Sequence, residues 1–323
     1  MSARSEFSLI QHYFEQLTPQ REDVLLGIGD DCALLQCPAD HVVAVSIDTL
    51  VEGVHFFPDV DSEKLGHKSL AVGLSDLAAM GATPAWFTLA LTLPRVNPDW
   101  LKGFSSGLAD LAKQHNIQLI GGDTTRGSLT ISIQVHGFVE PKKALKRSGA
   151  QVGDLIYVTG SLGDAGAGLQ LQLQQWDDEN LEKEDRHYLV QRLEQPSPRL
   201  TIGHNLLGLA SAAIDISDGL LADLGHIVEK SKVGARLDLA KLPLSSALSK
   251  INRTTAQQFA LQSGDDYELC FIVPPQHFGE VEKLFKGQCT RIGMITDDQS
   301  IYVINENDNL TELTGAGYDH FSS

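Results

Sequence analysis

The chain has 323 residues, with Lys+Arg 25 against Asp+Glu 42 and a formal net charge of -17. That length suits two ordinary domains, each able to bury its own core, and that charge would repel a phosphodiester backbone or an anionic membrane. Nucleic acid is thereby disfavoured, and a nucleotide would need bound cations to reverse the local sign.

Cys32, Cys37, Cys270 and Cys289 form no C-x-x-C pair and have no His at zinc-ligand spacing, so reduced thiols in a cytoplasmic protein are expected. The longest apolar stretch, near Ala85 to Leu93, falls short of the roughly 20 residues of a membrane helix, and Met1 to Glu6 lack an apolar signal segment.

In chain order, Phe7, Ile10, Phe14 and Leu17 keep helical spacing until Pro19. Val42 to Ile47 is a β-branched apolar run ending at Asp48, and Leu65 to Met80 reads as a helix closed by Gly81. Ile131, Ile133 and Val135 alternate with polar residues within a strand over Thr130 to Val139. The Pro-, Gly- and Lys-rich segment Glu140 to Gly149 interrupts this pattern, so domains over 1–140 and 150–323 are predicted. Leu155 to Val158 then forms a strand, followed by Gly160, Gly163, Gly166 and Gly168 and a helix through Leu173. Ile214 to Ile216 is a short strand, and Leu220, Leu221, Leu224, Ile227 and Val228 mark a helix with one buried face. Leu269 to Val273 and Ile301 to Ile304 complete a mixed α/β second half.

The aspartates carry the chemical signal. Asp30-Asp31, Asp48, Asp76, Asp123, Asp215 and Asp218 each lie beside apolar or glycine-rich runs, where a rigid carboxylate suits a hard cation such as Mg²⁺. Singly, each admits a plainer role. Taken alone, Asp30-Asp31 reads better as a turn with side-chain caps than as a metal site, and Asp48 reads equally as a turn or cap residue. Asp123, after a strand and two glycines, stands where backbone N–H groups can face an anion.

Gly27 to Asp31, Ser46 to Phe56, Leu74 to Gly81, Gly121 to Thr124, Asp215 to Gly219, Gly264 to Leu269 and Gly317 to Phe321, in that order over nearly the whole chain, resemble the successive motifs of the thiamine-monophosphate kinase family, of the aminoimidazole-ribonucleotide-synthetase superfamily. The resemblance implies a two-domain α/β fold whose N-terminal strands pair across a homodimer. It implies ATP-dependent phosphorylation of thiamine monophosphate to thiamine diphosphate, assisted by several Mg²⁺ ions. By position, Asp31, Ser46, the Ile47 backbone, Asp48, Asp76, Asp123, Asp215 and Asp218 resemble metal ligands. Gly122, Asp123, Arg147 and Ser217 resemble ATP contacts, and His55, Asp265 and Tyr318 resemble contacts to thiamine monophosphate. Asp265 departs from the family, which usually carries Glu there. No motif supplies a catalytic base or nucleophile, so direct in-line transfer is expected. The competing expectations are a sibling ATP-dependent ligase and a non-catalytic divalent-cation binder.

Overall fold

The structure is a computed structural model and describes residues 6–305 and 309–313. It divides into two compact units: one runs to Leu77 and resumes over Ala82–Lys142, and the other comprises Ala78–Gly81 and the chain from Lys143 onward.

The first unit contains α1 (Glu6–Tyr13), β1 (Val24–Leu26), β2 (Leu34–Leu35), β3 (Val42–Val51), α2 (Ser62–Ala79), β4 (Thr83–Leu93), α3 (Pro98–Gln114), β5 (Gln118–Arg126) and β6 (Thr130–Val139). Its four-stranded sheet has the order β3-β6-β4-β5, with β4 and β5 parallel and the other pairs antiparallel. Two glycines let α2 and α3 touch backbone to backbone: a Cβ on Gly66 would lie 2.1 Å from the Phe104 carbonyl, and one on Gly107 1.8 Å from that of Glu63. Leu70, Leu74, Phe104 and Leu108 are fully buried as a result. α1 ends at Tyr13, earlier than its apolar spacing predicts. Gly81, at φ +68°, closes α2 as expected, and its neighbour Ala82 donates its N–H back to Leu77 O.

Two readings of the sequence need correction here. β3 does not end at Asp48: the strand continues to Val51, so Ser46 and Asp48 sit within it, two residues apart on one face. Asp123 is likewise inside β5 rather than in a turn, because β5 continues through both glycines with a register shift opposite Phe87 and Thr88.

The second unit contains β7 (Leu155–Thr159), α4 (Asp164–Gln172), α5 (Lys183–Glu194), α6 (Leu200–Asn205), β8 (Ala212–Ile216), α7 (Leu220–Ser231), β9 (Gly234–Asp238), α8 (Arg253–Gln262), β10 (Glu268–Val273), α9 (Phe278–Leu284), β11 (Cys289–Thr296), β12 (Ile301–Ile304) and β13 (Leu310–Leu313). Its seven-stranded sheet has the order β13-β12-β9-β11-β7-β10-β8. All six residues of β10 are buried, and Ile156, Val158, Ile214, Ile216 and Ile272 pack with Leu220, Leu221, Leu224 and Ile227 of α7 in one core. Among the described residues no helix is long and apolar enough to cross a membrane.

Candidate functional site

In the first unit the site begins with the register of β3 on β6, which pairs Ser46 with Val135 and Asp48 with Ile133. Val135 and Ile133 are buried, so Ser46 and Asp48 face inward while Val45 and Ile47 are exposed. This reverses the usual amphipathic strand, and it makes Ile47 available through its backbone only. Above this face, α2 approaches closely at Gly73, where a Cβ would stand 3.0 Å from a Val135 methyl and 3.5 Å from Asp48 Oδ2. One turn later Asp76 Oδ2 accepts a short hydrogen bond from Ser46 Oγ. Asp48 Oδ2 is buried with no hydrogen-bond partner. Burial, and then the charge of Asp76, push the Asp48 carboxyl up to about 7.

An unsatisfied buried carboxylate oxygen beside a second carboxylate is costly unless a cation joins them, so these donors fit Mg²⁺. Among the described residues no three His, Cys, Asp or Glu side chains gather as an ion site. Mg²⁺ takes one or two carboxylates and completes its shell with water and substrate phosphates.

Along β5, Gly122 pairs with Leu89, and a Cβ there would lie 1.9 Å from the Leu89 carbonyl, so only glycine fits. Asp123, the next residue, is exposed. The His55 Nδ1 accepts the Val51 N–H at 3.0 Å, which leaves the proton of the neutral ring on Nε2 as a donor. Asp31 is exposed in the segment between β1 and β2, where its N–H donates to Asp30 Oδ1 at 2.8 Å, as the capped-turn reading expected.

In the second unit Asp215 is buried on β8, and Ser217 and Asp218 follow the strand end half-buried. Two backbone bonds tie this loop to the next motif: Asp265 N–H donates to Ser217 O at 2.8 Å and Tyr267 N–H to Ile216 O at 2.9 Å. Gly264 permits that approach, since a Cβ would lie 2.3 Å from Ser217 O. Asp265 and Tyr267 both adopt positive φ, +65° and +50°. Asp tolerates that region, whereas for Tyr it stores strain of the kind found at functional sites. Arg147 is exposed in the segment before β7, its carbonyl accepting from Ser231 Oγ at 3.4 Å. Tyr318 lies outside the described residues.

The sequence singled out no role for five charged residues that frame these loops. Asp223 Oδ2 accepts from the N–H groups of Ser217, Asp218 and Gly219, each at 3.1 Å, although burial still pushes its carboxyl up to about 7. Asp266 accepts from Gly163 N–H at 2.6 Å and Ala165 N–H at 3.3 Å, so the glycine turn leading into α4 is filled by the chain's own carboxylate rather than open to phosphate. Glu268, fully buried, accepts from Thr159 Oγ1, Arg192 and Arg199, and Arg192 also donates to Asp266 O at 3.3 Å. An acidic residue inside or leading an apolar run, as at Asp223 and Glu268, was the available signal. Arg192 and Arg199 carry none.

Residues 29–139 match AIR synthase related protein, N-terminal domain, and residues 151–305 match AIR synthase related protein, C-terminal domain. Over 329 residues the chain is 51% identical to the thiamine-monophosphate kinase of Escherichia coli (strain K12), with 99% of each covered. The chain belongs to the thiamine-monophosphate kinase family. Within that family, the crystal structure of the enzyme from Stenotrophomonas maltophilia K279a matches with a TM-score of 0.83 at 48% identity, covering 88% of this chain and 92% of that one. AaThiL complexed with AMPPCP and TMP matches with a TM-score of 0.76 at 28% identity, covering 88% and 89%.

Proposed function

We propose that the chain transfers the terminal phosphoryl group of ATP to thiamine monophosphate, giving ADP and thiamine diphosphate. Full-length identity of 51% to a curated thiamine-monophosphate kinase carries this reading. A 28% identical relative complexed with AMPPCP, an ATP analogue, and TMP supports the substrate pair.

The acceptor is itself a phosphate, with a second pKa of about 6, so its oxygen is largely anionic at neutral pH and needs no base to activate it. The task left to the protein is to hold two polyanions in line. Asp48, Asp76 and Ser46 would hold Mg²⁺ in the first unit, with Asp31, Asp123 and the Ile47 carbonyl as further ligands. Asp215 and Asp218 would do so in the second. When bound, Mg²⁺ supplies neutralisation of the phosphate charge and a template for alignment. Gly122, Asp123, Arg147 and Ser217 bind ATP in this reading, and His55, Asp265 and Tyr318 bind thiamine monophosphate. The His55 Nε2–H is suited to donate to an anionic acceptor.

The protein works as a homodimer in the cytoplasm. Val43, Val45 and Ile47 support the dimer: they are 39%, 52% and 62% exposed along β3, an edge strand that another copy would cover. Four unbridged cysteines suit a reducing compartment.

The deciding experiment measures ADP release with thiamine monophosphate, thiamine, water and purine-pathway intermediates as acceptors, and sedimentation equilibrium on the same sample gives its mass. Release with thiamine monophosphate alone, from a dimer, is expected. Release with a purine intermediate instead would transfer the chain to a sibling ligase activity.

A further inference from the structure

Two helix N-termini in the second unit are closed by the chain's own carboxylates, and α7 shows what this accomplishes. Gly219 precedes the helix, and Asp223, one turn inside it, folds back so that one oxygen receives three successive N–H groups, those of Ser217, Asp218 and Gly219. Convergent N–H groups at a helix start form an anion-binding nest. Here the anion is Asp223, 2% exposed, so no phosphate takes that place. The loop presents Ser217 and the Asp218 carboxylate instead.

The loop is pinned from its other side as well. A Cβ on Gly219 would lie 2.8 Å from Gln262 O, and Ser217 O is met both by Gly264 and by the Asp265 N–H. Backbone packed this closely has little room on that side, and on the other the Asp223 oxygen holds its three N–H groups.

We propose that Asp223 is a positioning residue for nucleotide binding, which holds three consecutive N–H groups and thereby sets Ser217 and Asp218 in place without touching ligand. The proposal rests on the assignment of Ser217 to ATP and Asp218 to Mg²⁺. Removing the oxygen would leave three N–H donors unsatisfied, and the loop would move to find acceptors. Asp223→Asn retains one carbonyl oxygen for the same donors. Asp223→Glu carries the oxygen about 1.5 Å further along the side chain and misplaces it.

The test is calorimetric titration of the full-length protein with AMPPCP in saturating and in limiting Mg²⁺, alongside the Tm of each variant. Asp223→Ala is expected to weaken AMPPCP by about tenfold or more and to raise the Mg²⁺ concentration needed for half-maximal binding, as loss of the one acceptor for three N–H groups implies. Asp223→Asn should stay within about threefold of the wild type. A folded Asp223→Ala protein losing less than tenfold, even with a lowered Tm, overturns the proposal, because a residue that only fills the core would behave so. Asn falling as far as Ala also overturns it. Should Asp223→Ala not fold, Asp223→Glu decides by the same tenfold criterion. A wild type that binds no AMPPCP overturns the functional reading and this inference together, whereas wild-type binding with unaltered variants overturns this inference alone.

Discussion

The two units treat their buried carboxylates in opposite ways. In the second, four are answered by donors of the protein: Asp223 by three N–H groups, Asp266 by two, Glu268 by two guanidinium groups and a threonine, and Asp164 by Ser161, Ser245 and Tyr188. In the first, Asp48 Oδ2 is buried with no donor and stands near the charge of Asp76. A buried anion without a partner costs several kcal/mol. The fold therefore tolerates at Asp48 what it suppresses at those four residues. A carboxylate satisfied from within is framework, and one left unsatisfied is where a ligand from outside completes the set.

If that contrast holds, neutralising the unsatisfied pair should abolish chemistry and spare the fold. Asp48→Asn or Asp76→Asn removes charge that would retain Mg²⁺, an ion worth several kcal/mol at a phosphoryl-transfer site, so turnover should fall on the order of a thousandfold. Steady-state ADP release together with circular dichroism checks this. A folded Asp48→Asn protein with near-normal activity at limiting Mg²⁺ would take Asp48 out of the site.

The framework side should respond in stability instead. Glu268 accepts from both Arg192 and Arg199 with its own side chain almost wholly buried. Glu268→Gln leaves two guanidinium groups short of their counter-charge, and breaking a buried pair in this way costs about 3–5 kcal/mol. Urea unfolding should show the midpoint falling with the m-value unchanged. A midpoint equal to the wild type would mean that the pair is solvated in solution.

Much of this organisation is legible in the sequence, for identifiable reasons. β6 and α7 follow from periodicity alone, because Ile131, Ile133 and Val135 alternate and Leu220, Leu224, Ile227 and Val228 recur at helical spacing, and all are buried. The two-domain α/β architecture followed from motif order. β3 defeats pattern reading because it is inverted: its apolar Val45 and Ile47 face outward and its polar Ser46 and Asp48 inward, an arrangement that serves the site rather than the core. β5 defeats it because a glycine, normally a turn signal, is here demanded within the strand at Gly122 by the approach of Leu89 O. Arg192 and Arg199 are illegible because an arginine in a polar helix, or in the segment leading into α6, looks solvated until the fold brings Glu268 to it.

At Asp265 the structure sharpens a test that the sequence left blunt. The residue sits at φ +65°, which Asp and Asn enter more readily than Ala or Glu. Asp265→Ala would therefore mix backbone strain with loss of the carboxylate, and Asp265→Asn is the clean variant. If the carboxylate contacts thiamine monophosphate, a charged hydrogen bond worth about 1.5–3 kcal/mol is lost, and kcat/KM for that substrate should fall by about tenfold or more while KM for ATP holds. Equal effects on both substrates would refute a direct contact.

The smallest expected effect is the most direct probe of the unsatisfied pair. In metal-free protein, burial and then the charge of Asp76 push the folded Asp48 carboxyl up to about 7, against about 4 for an ordinary carboxylate. Between those values the folded chain holds a proton that the unfolded chain has lost, so the contribution of this group to stability is full below about 4 and disappears as pH rises through 7. Asp223 shifts in the same direction and contributes a similar slope, so the wild-type profile alone does not isolate Asp48. The difference between wild type and Asp48→Asn does, because the Asp223 contribution cancels. In EDTA at pH 8 the Asn variant should melt higher than the wild type, on the order of 2–4 °C for each kcal/mol of relieved repulsion, and the gap should narrow steadily toward pH 5. Saturating Mg²⁺ should reverse the order at pH 8, since a ligand that binds only the folded wild-type site raises its Tm by mass action. Differential scanning calorimetry across pH 5 to 8, with and without Mg²⁺, reads all three. A gap between the two proteins that ignores pH, or a wild-type Tm that ignores Mg²⁺, would show that Asp48 finds its partner within the chain and that the contrast between the units is only apparent.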